Sequence, residues 1–405
     1  MGLVSSVGSS NTIIPKVPDT SKQEDAAKVT PKLPAVSKQE DAAKAANQLA
    51  LKNQPKDEFE GGEQGYKKEI EEYNTQIGNA EDEIKRIENE IKNLKNDGML
   101  ENMLGWTPWV ETKVEKETKL NNEKATQEGI RDKALGDRTN AVNEAQKFWG
   151  EDPDYQRAAN TFRYYYDLTD TASGTGEKDG IVNEKDLEAM AKNPDIPEEV
   201  RKDFKFLLDS GAFLAMSGGD RYISEDDPTV SISGNSDIDG FLRTAYREQK
   251  YHEGTSEGDA SGSNNHTKYG DWYYNGKVSG DNYPWCATFV SWCAKEAGIG
   301  GTTVPKYEGC LGGIDEYKKA GCYHTAESGY EPKAGDVFFH ETAHTGIILA
   351  YDKKNNCAYT IEGNCDNEVK IVKRPMEYFT SFGSNGGTSN GVIPSNYDQT
   401  KGGIA

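Results

Sequence analysis

A seven-residue repeat of apolar positions dominates the first third of the chain. Isoleucine occupies the first position of each repeat, at Ile70, Ile77, Ile84 and Ile91. The fourth position of each repeat holds Tyr73, Ala80, Ile87 and Leu94. Glutamate, lysine and asparagine fill most of the positions between them. Consecutive heptads with apolar first and fourth positions predict a coiled-coil helix.

A break containing glycine and proline follows this helix at residues 96–111. A second, weaker helical pattern then continues to about Gly150, with apolar positions at Ile130, Leu135, Val142 and Phe148. Two helices with a short connection predict an antiparallel helical hairpin over residues 61–150. The same apolar stripe would equally serve homo-oligomerisation or the binding of a helical partner, and the sequence favours neither arrangement.

A repeated ten-residue pattern marks the next region, residues 151–235. The segments "EKDGIVNEKD" at 177–186 and "GGDRYISEDD" at 218–227 align position for position. They resemble a pair of EF-hand loops, the second of them degenerate because Arg221 replaces the turn glycine. In the first loop, the resemblance implies a calcium site. Its ligands would be Asp170, Asp179, the backbone carbonyl of Ile181, Asn183 and Asp186.

The alternative for this region needs no ion. Apolar residues at Phe204, Leu207, Leu208 and Phe213 are spaced as in a pair of packed helices. The region is therefore predicted to be a small α-helical pair, with or without calcium.

The pattern changes again from about residue 236. Short runs of β-branched and aromatic residues, "GDVFF", "TGIILAY" and "CAYTIEGNCDNEVKIV", predict strands, the last of them a hairpin. Between Pro284 and Gly298, the apolar residues of "WCATFVSWCAKEAGI" have helical spacing. Residues 236–405 are therefore predicted to form an α+β domain with an antiparallel sheet.

Cys286 is the strongest candidate for chemistry in that domain. It lies in the first turn of the predicted helix, where unpaired N–H groups and the helix dipole favour a thiolate. A nucleophilic cysteine needs a base and a group that orients the base. His344 begins a predicted strand, and Glu362 and Asn364 lie near the end of the next one. Adjacent antiparallel strands would place Glu362, or else Asn364, beside His344.

The segment "HETAH" at 340–344 offers a competing hypothesis, because HExxH is the zinc-binding motif of a class of metalloproteases. That motif requires a helix, which brings residues four apart onto one face. Strand composition on both sides of it contradicts a helix. In an extended chain His340 and His344 would lie roughly 13 Å apart, too far to share an ion. We expect no zinc, and we expect His340 to be a surface turn residue.

Three blocks of this region resemble a known family. "YGDWYY…PWCATFVSWCAKEAGI", "KAGDVFFHETAHTGIILAYD" and "IEGN" look like a CHAP domain, a papain-like cysteine, histidine-dependent amidohydrolase/peptidase. The resemblance implies Cys286 as nucleophile, His344 as base, and Glu362 as third member with Asn364 as the alternative. It implies an amide-bond substrate, most often peptidoglycan, and no cofactor for catalysis.

Two other functions stay open at this point. An exported effector of the same chemistry would cleave a host peptide or isopeptide bond. A coiled-coil and EF-hand scaffold with a vestigial CHAP module would have no activity, although the presence of Cys286, His344 and Glu362 together argues against it.

Composition narrows the setting. Of the 405 residues, 34% are hydrophobic and 28% are charged, too polar for a uniformly globular chain. Residues 1–60 repeat "SKQEDAAK" and are predicted to be a disordered tether. The formal net charge of −21 argues against nucleic acid or an anionic membrane as the main partner.

The expected location is bacterial or phage, at the cell wall or after export. The first residues have no basic start and no long apolar core, which argues against a Sec signal peptide. They also fit the short motif for myristoylation of Gly2. An unmodified, serine-rich disordered start is the commoner explanation of such a sequence. Spacing alone does not decide whether Cys310 pairs with Cys322, or Cys357 with Cys365.

Overall fold

The computed structural model describes residues 63–96, 112–174, 178–254, 264–276, 283–394 and 396–397. The predicted tether at 1–60 lies outside these ranges, as does most of the break between the two predicted helices. Among the described helices, none is both long and apolar enough to cross a membrane.

The predicted helical hairpin is confirmed. Helices α1 (Glu63–Asn96) and α2 (Lys113–Gly150) pack along each other. The heptad positions Ile70, Ile77, Ala80, Ile84 and Ile87 are buried in their interface. Helix α2 begins with a capping box, in which the side chains of Thr112 and Glu115 each bind the other's backbone N–H.

One end of the hairpin is anchored on the rest of the molecule. The side chain of Asn74 donates a hydrogen bond to the carbonyl of Gly219 at 2.7 Å, and Gln146 donates one to Ala215 at 2.9 Å. Gly211 makes close approach possible, since a Cβ there would lie 2.6 Å from that of Lys67. The hairpin is thus attached through its open end.

The middle region is a helical body around a two-stranded ribbon. Its helices and strands are α3 (Pro153–Thr169), β1 (Ile181–Asn183), α4 (Glu184–Lys192), α5 (Glu198–Asp209), α6 (Ala212–Met216) and β2 (Tyr222–Ser224). Strands β1 and β2 are the centres of the two repeats, and they pair antiparallel with Val182 opposite Ile223. The predicted apolar residues Phe204, Leu207 and Phe213 are buried here.

The two repeats share a backbone feature that the sequence argued against. Gly180 and Arg221, at equivalent positions, both adopt left-handed conformations, with φ of 76° and 70°. An arginine therefore makes the same turn as a glycine, although this conformation strains a residue with a side chain. Both copies of the repeat therefore form the same turn before their short strand.

The C-terminal region is α+β with an antiparallel sheet, as predicted. It comprises α7 (Ser236–Arg247), α8 (Lys268–Tyr274), α9 (Cys286–Glu296), α10 (Cys310–Ala320), β3 (Tyr323–Thr325), β4 (Val337–His340), β5 (His344–Asp352), β6 (Cys357–Cys365), β7 (Glu368–Pro375) and β8 (Ser381–Gly383). The strand order in the sheet is β3-β8-β4-β5-β6-β7. Helix α9 packs against β5 and β6, which are the longest strands of the sheet.

Packing continues across the predicted boundary at residue 235. Tyr164 of α3 stacks on Tyr246 of α7 with ring centroids 3.8 Å apart. Arg243 of α7 donates a hydrogen bond to the carbonyl of Arg163 at 2.9 Å. The helical body and the α+β region therefore share one hydrophobic core.

Candidate active site

Cys286 is the first residue of α9, and its thiol is buried. The helix starts there because the N–H of Phe289 bonds to the carbonyl of Trp285. Trp285 is fixed in turn, since its indole N–H donates a hydrogen bond to the buried carboxylate of Glu253 at 2.7 Å. The backbone N–H of Cys286 belongs to the first turn of the helix, whose N–H groups have no hydrogen-bond partner within the helix.

His344 and Glu362 face this thiol from two neighbouring strands. His344 is the first residue of β5, and its Nε2 lies 2.9 Å from Oε2 of Glu362 in β6. The imidazole also hydrogen-bonds the Cys286 side chain, which leaves Nδ1 as the nitrogen for that contact. Thiol, imidazole and carboxylate thus form a continuous hydrogen-bonded row.

Two glycines permit this close packing. A Cβ at Gly346 would lie 3.0 Å from Cγ of Glu362, and one at Gly363 would lie 2.6 Å from Cβ of Phe289. Real Cβ contacts are rarely so short. The sequences "HTG" and "EGN" therefore let β5, β6 and α9 approach closely enough for the row to form.

Hydrogen bonding and charge in the row favour a thiolate–imidazolium pair. A hydrogen bond from Cys310, with the bond and charge of His344, lowers the pKa of Cys286 well below its usual value despite burial. Burial acts to lower the pKa of His344, but contacts with Cys286 and Glu362 outweigh it and raise that pKa to about 10. Burial acts to raise the pKa of Glu362, but hydrogen bonds from His344 and Arg374 lower it to about 2.

Asn364, the alternative orienting residue, lies in the bulge that ends β6. Both ring nitrogens of His344 already have partners, in Cys286 and Glu362, so neither is left for Asn364. The side-chain oxygen of Asn364 is buried and has no hydrogen-bond partner among the described residues. The structure thus brings Glu362 to the imidazole.

Two residues of the site were missed from the sequence. Cys310, the first residue of α10, hydrogen-bonds the Cys286 side chain, and this bond with burial raises its own pKa. Arg374 of β7 reaches the Glu362 carboxylate. Sequence spacing suggested Cys310 only as a partner of Cys322, but all six cysteines are free thiols.

The HExxH segment is a β-hairpin, so its residues do not share the helical face of the protease motif. The expected distance was wrong, however, because His340 and His344 are paired directly across the turn between β4 and β5. His340 is also not a surface turn residue. It ends β4, is half-buried, and its ring stacks on Tyr378 with centroids 4.2 Å apart.

The carboxylates of the first repeat bind backbone groups of their own loop. Asp170 accepts the N–H of Gly180 at 3.0 Å, and Asp186 accepts the N–H of Asn183 at 2.9 Å. With the side chain of Asn183, Asp186 forms the capping box that begins α4. These oxygens therefore already stabilise the loop and the helix start.

The other two predicted calcium ligands lie close by. Asp179 accepts the N–H of Ile181 at 2.9 Å, and Ile181 begins β1. In the described parts of the chain, no three side chains of His, Cys, Asp or Glu converge as a metal site requires. Nothing here supports an EF-hand module, and calcium binding stays a prediction.

Comparison with known proteins identifies one segment. Residues 278–364 match the family described as the CHAP domain. The matched segment includes Cys286, His344, Glu362 and Asn364 and stops before Arg374. No curated protein and no solved structure matches the chain.

Proposed function

We propose that this chain, a cysteine amidohydrolase of CHAP type, hydrolyses an amide bond of bacterial peptidoglycan through Cys286, His344 and Glu362. The observation that carries the proposal is the hydrogen-bonded row from thiol to imidazole to carboxylate. Peptidoglycan is the substrate class because CHAP domains commonly act on it. In this proposal the enzyme is bacterial or phage and acts at the cell wall or after export.

Catalysis begins with attack of the Cys286 thiolate on the amide carbonyl carbon. The negative charge moves to the carbonyl oxygen, where the backbone N–H of Cys286 donates a hydrogen bond. Protonated His344 then gives its proton to the leaving nitrogen, and the C–N bond breaks. The free amine leaves, and an acyl thioester remains on Cys286.

Hydrolysis of the thioester completes the cycle. Neutral His344 accepts a proton from water as the water oxygen attacks the acyl carbon. The C–S bond then breaks, giving a carboxylic acid and the Cys286 thiolate beside a protonated His344. Glu362 stays ionised throughout, so it holds the imidazole in one orientation and stabilises its charged form.

The test is mass spectrometry of purified muropeptides after incubation with the full chain. Wild type should release fragments that differ by one hydrolysed amide bond, and Cys286→Ala should release none. Cys322→Ala is the matched control, because Cys322 is a half-buried thiol of the same region. Release of the same fragments by Cys286→Ala would contradict the assignment of Cys286 as the nucleophile. Intact muropeptides after incubation with wild type would contradict peptidoglycan as the substrate.

A further inference from the structure

Arg374 makes a two-pronged contact with the carboxylate at the end of the row. Its Nε donates to Oε1 of Glu362 at 3.0 Å, and its Nη2 donates to Oε2 at 2.7 Å. Both side chains are buried, with 5% exposure for Arg374 and none for Glu362. Paired N–H donors on one carboxylate fix its plane as well as its position.

The same carboxylate oxygen faces the imidazole. Oε2 of Glu362 accepts from Arg374 and lies 2.9 Å from Nε2 of His344. The other oxygen, Oε1, also accepts the hydroxyl of Thr360 at 2.5 Å. Without Arg374, the carboxylate would be held only by the Thr360 hydroxyl and the imidazole, and its plane would be less firmly fixed.

The charges of the site balance only when Arg374 is counted. In the reactive state Cys286 and Glu362 are negative, and His344 is positive. These three charges alone would leave one net negative charge in a buried site, and uncompensated buried charge is strongly destabilising. The guanidinium of Arg374 brings the sum to zero.

We propose that Arg374 is a positioning residue of the active site, which holds Glu362 against His344 and neutralises the buried thiolate–imidazolium state. The inference rests on the proposed function for the identity of the nucleophile. Arg374 lies on β7, beyond the segment that matches the CHAP family.

Lys370 shows that this partnership is specific. In the pairing of β6 with β7, Lys370 lies directly opposite Glu362. Its ammonium instead pairs with Asp366 and Glu368, each at 2.9 Å. The cation that the strand register puts nearest is thus engaged elsewhere, and Arg374 reaches along the sheet to the carboxylate.

Other titratable groups also face this pair. The Arg374 guanidinium lies 4.3 Å from the ring centre of Tyr378, and its Nη2 lies 3.8 Å from Sγ of Cys365. Burial raises the pKa of both, that of Cys365 to about 12, so both are neutral below pH 9. On the other side the facing groups are His344 and Cys286, the pair whose ionisation is at issue.

Loss of the guanidinium should therefore change the pH dependence of the thiol. A buried Glu362 without Arg374 has a raised pKa, and once protonated it no longer stabilises protonated His344. The thiolate then loses its cation, so the pKa of Cys286 rises as well. The Cys286 thiolate should form at higher pH in Arg374→Met than in wild type.

The experiment measures the rate of Cys286 alkylation by iodoacetamide against pH, by mass spectrometry of the full chain. At a pH below the pKa of Cys286 in both proteins, Arg374→Met should react roughly tenfold more slowly for a one-unit rise in that pKa, and the two rates should converge near pH 9. In the Glu362→Gln background the same substitution should cause little change, because its effect passes through the carboxylate. Lys370→Met is the matched control and should keep the wild-type profile.

Arg374→Lys separates position from charge, and it also serves if Arg374→Met does not fold. Lysine keeps the charge but contacts one oxygen only, so alkylation should follow the wild-type profile while kcat falls about tenfold. An unchanged pH profile in folded Arg374→Met, an equal shift in the Glu362→Gln background, or a wild-type kcat in Arg374→Lys would each overturn the proposal. Failure of the proposed function is distinct, since Cys286 would then resist alkylation near pH 5 in wild type.

Discussion

In the hairpin, Arg86 lies between Glu83 and Glu90 on the outer face of α1, and all three side chains are more than a third exposed. In the sheet, Arg374 meets Glu362 with almost no exposure of either side chain. Arg86 contacts two carboxylates, and both arginines bind one glutamate through Nε and Nη2. The difference lies in the solvent, which screens the first set of charges and is excluded from the second.

The two regions therefore use charge for different ends. Exposed ion pairs along a helix contribute little to stability, so the hairpin depends on its buried isoleucines. A buried pair is costly to desolvate and is weak evidence for stability. In the sheet, the buried pair contacts the imidazole that faces the Cys286 thiol. Its role is therefore in the chemistry of the site rather than in stability.

The strongest way to break this comparison is to remove the histidine. His344→Ala should lower turnover on the order of 10²–10⁴-fold, because it deletes the base and the proton donor. His340→Ala, across the same turn, should retain most of the turnover, which amide hydrolysis assays would measure. Equal losses in two folded variants would contradict the assignment of roles.

A large effect of a different kind is expected in the hairpin. Ile84→Ala removes a side chain buried between α1 and α2, and such changes cost about 2–5 kcal/mol. Amide hydrogen exchange should become faster in α1, while alkylation of Cys286 keeps its wild-type rate. Ile84→Val is the conservative control, and slower alkylation in Ile84→Ala would show that the two regions are coupled.

A smaller effect should follow from the exposed charges. Arg86→Ala should leave hydrogen exchange in α1 close to that of wild type, since solvent already screens its ion pairs. A change as large as that of Ile84→Ala would mean that the surface network stabilises the hairpin, and the contrast with Arg374 would fail.

The smallest expected effect concerns metal ions. Calorimetry on the full chain should show about one calcium of modest affinity, lost in Asp179→Ala and kept in Asp220→Ala of the second repeat. A zinc-selective chelator should leave hydrolysis unchanged. Undiminished calcium binding in Asp179→Ala would show that the ligands lie elsewhere.

The hairpin was predictable because its information is local. Heptad spacing places Ile70 and Ile77 on one face without reference to any other part of the chain. The contact between His344 and Glu362 was predictable for a related reason, since consecutive strands of a meander lie side by side. In both cases neighbours in sequence order are neighbours in space.

Arg374 and Cys310 were not predictable by the same route. The register of β6 and β7 shifts at the bulge after Glu362, and the residue opposite Glu362 is Lys370. Strand register alone would therefore predict Lys370, and not Arg374, as the cation that pairs with Glu362. Cys310 reaches Cys286 because the first turns of α9 and α10 meet in space, and no spacing rule encodes the angle between two helices.

The burial of Cys286 also has a consequence for which molecules can reach its thiol. Cys286 is 4% exposed and His344 is 3% exposed, so we expect only a thin, extended segment of substrate to reach the thiol. The same geometry ranks reagents by their cross-section, so that a small alkylating agent reacts well before a bulky one of equal intrinsic reactivity. Selectivity among amide bonds then begins with the width of the chain on either side of the carbonyl, before any side chain is recognised.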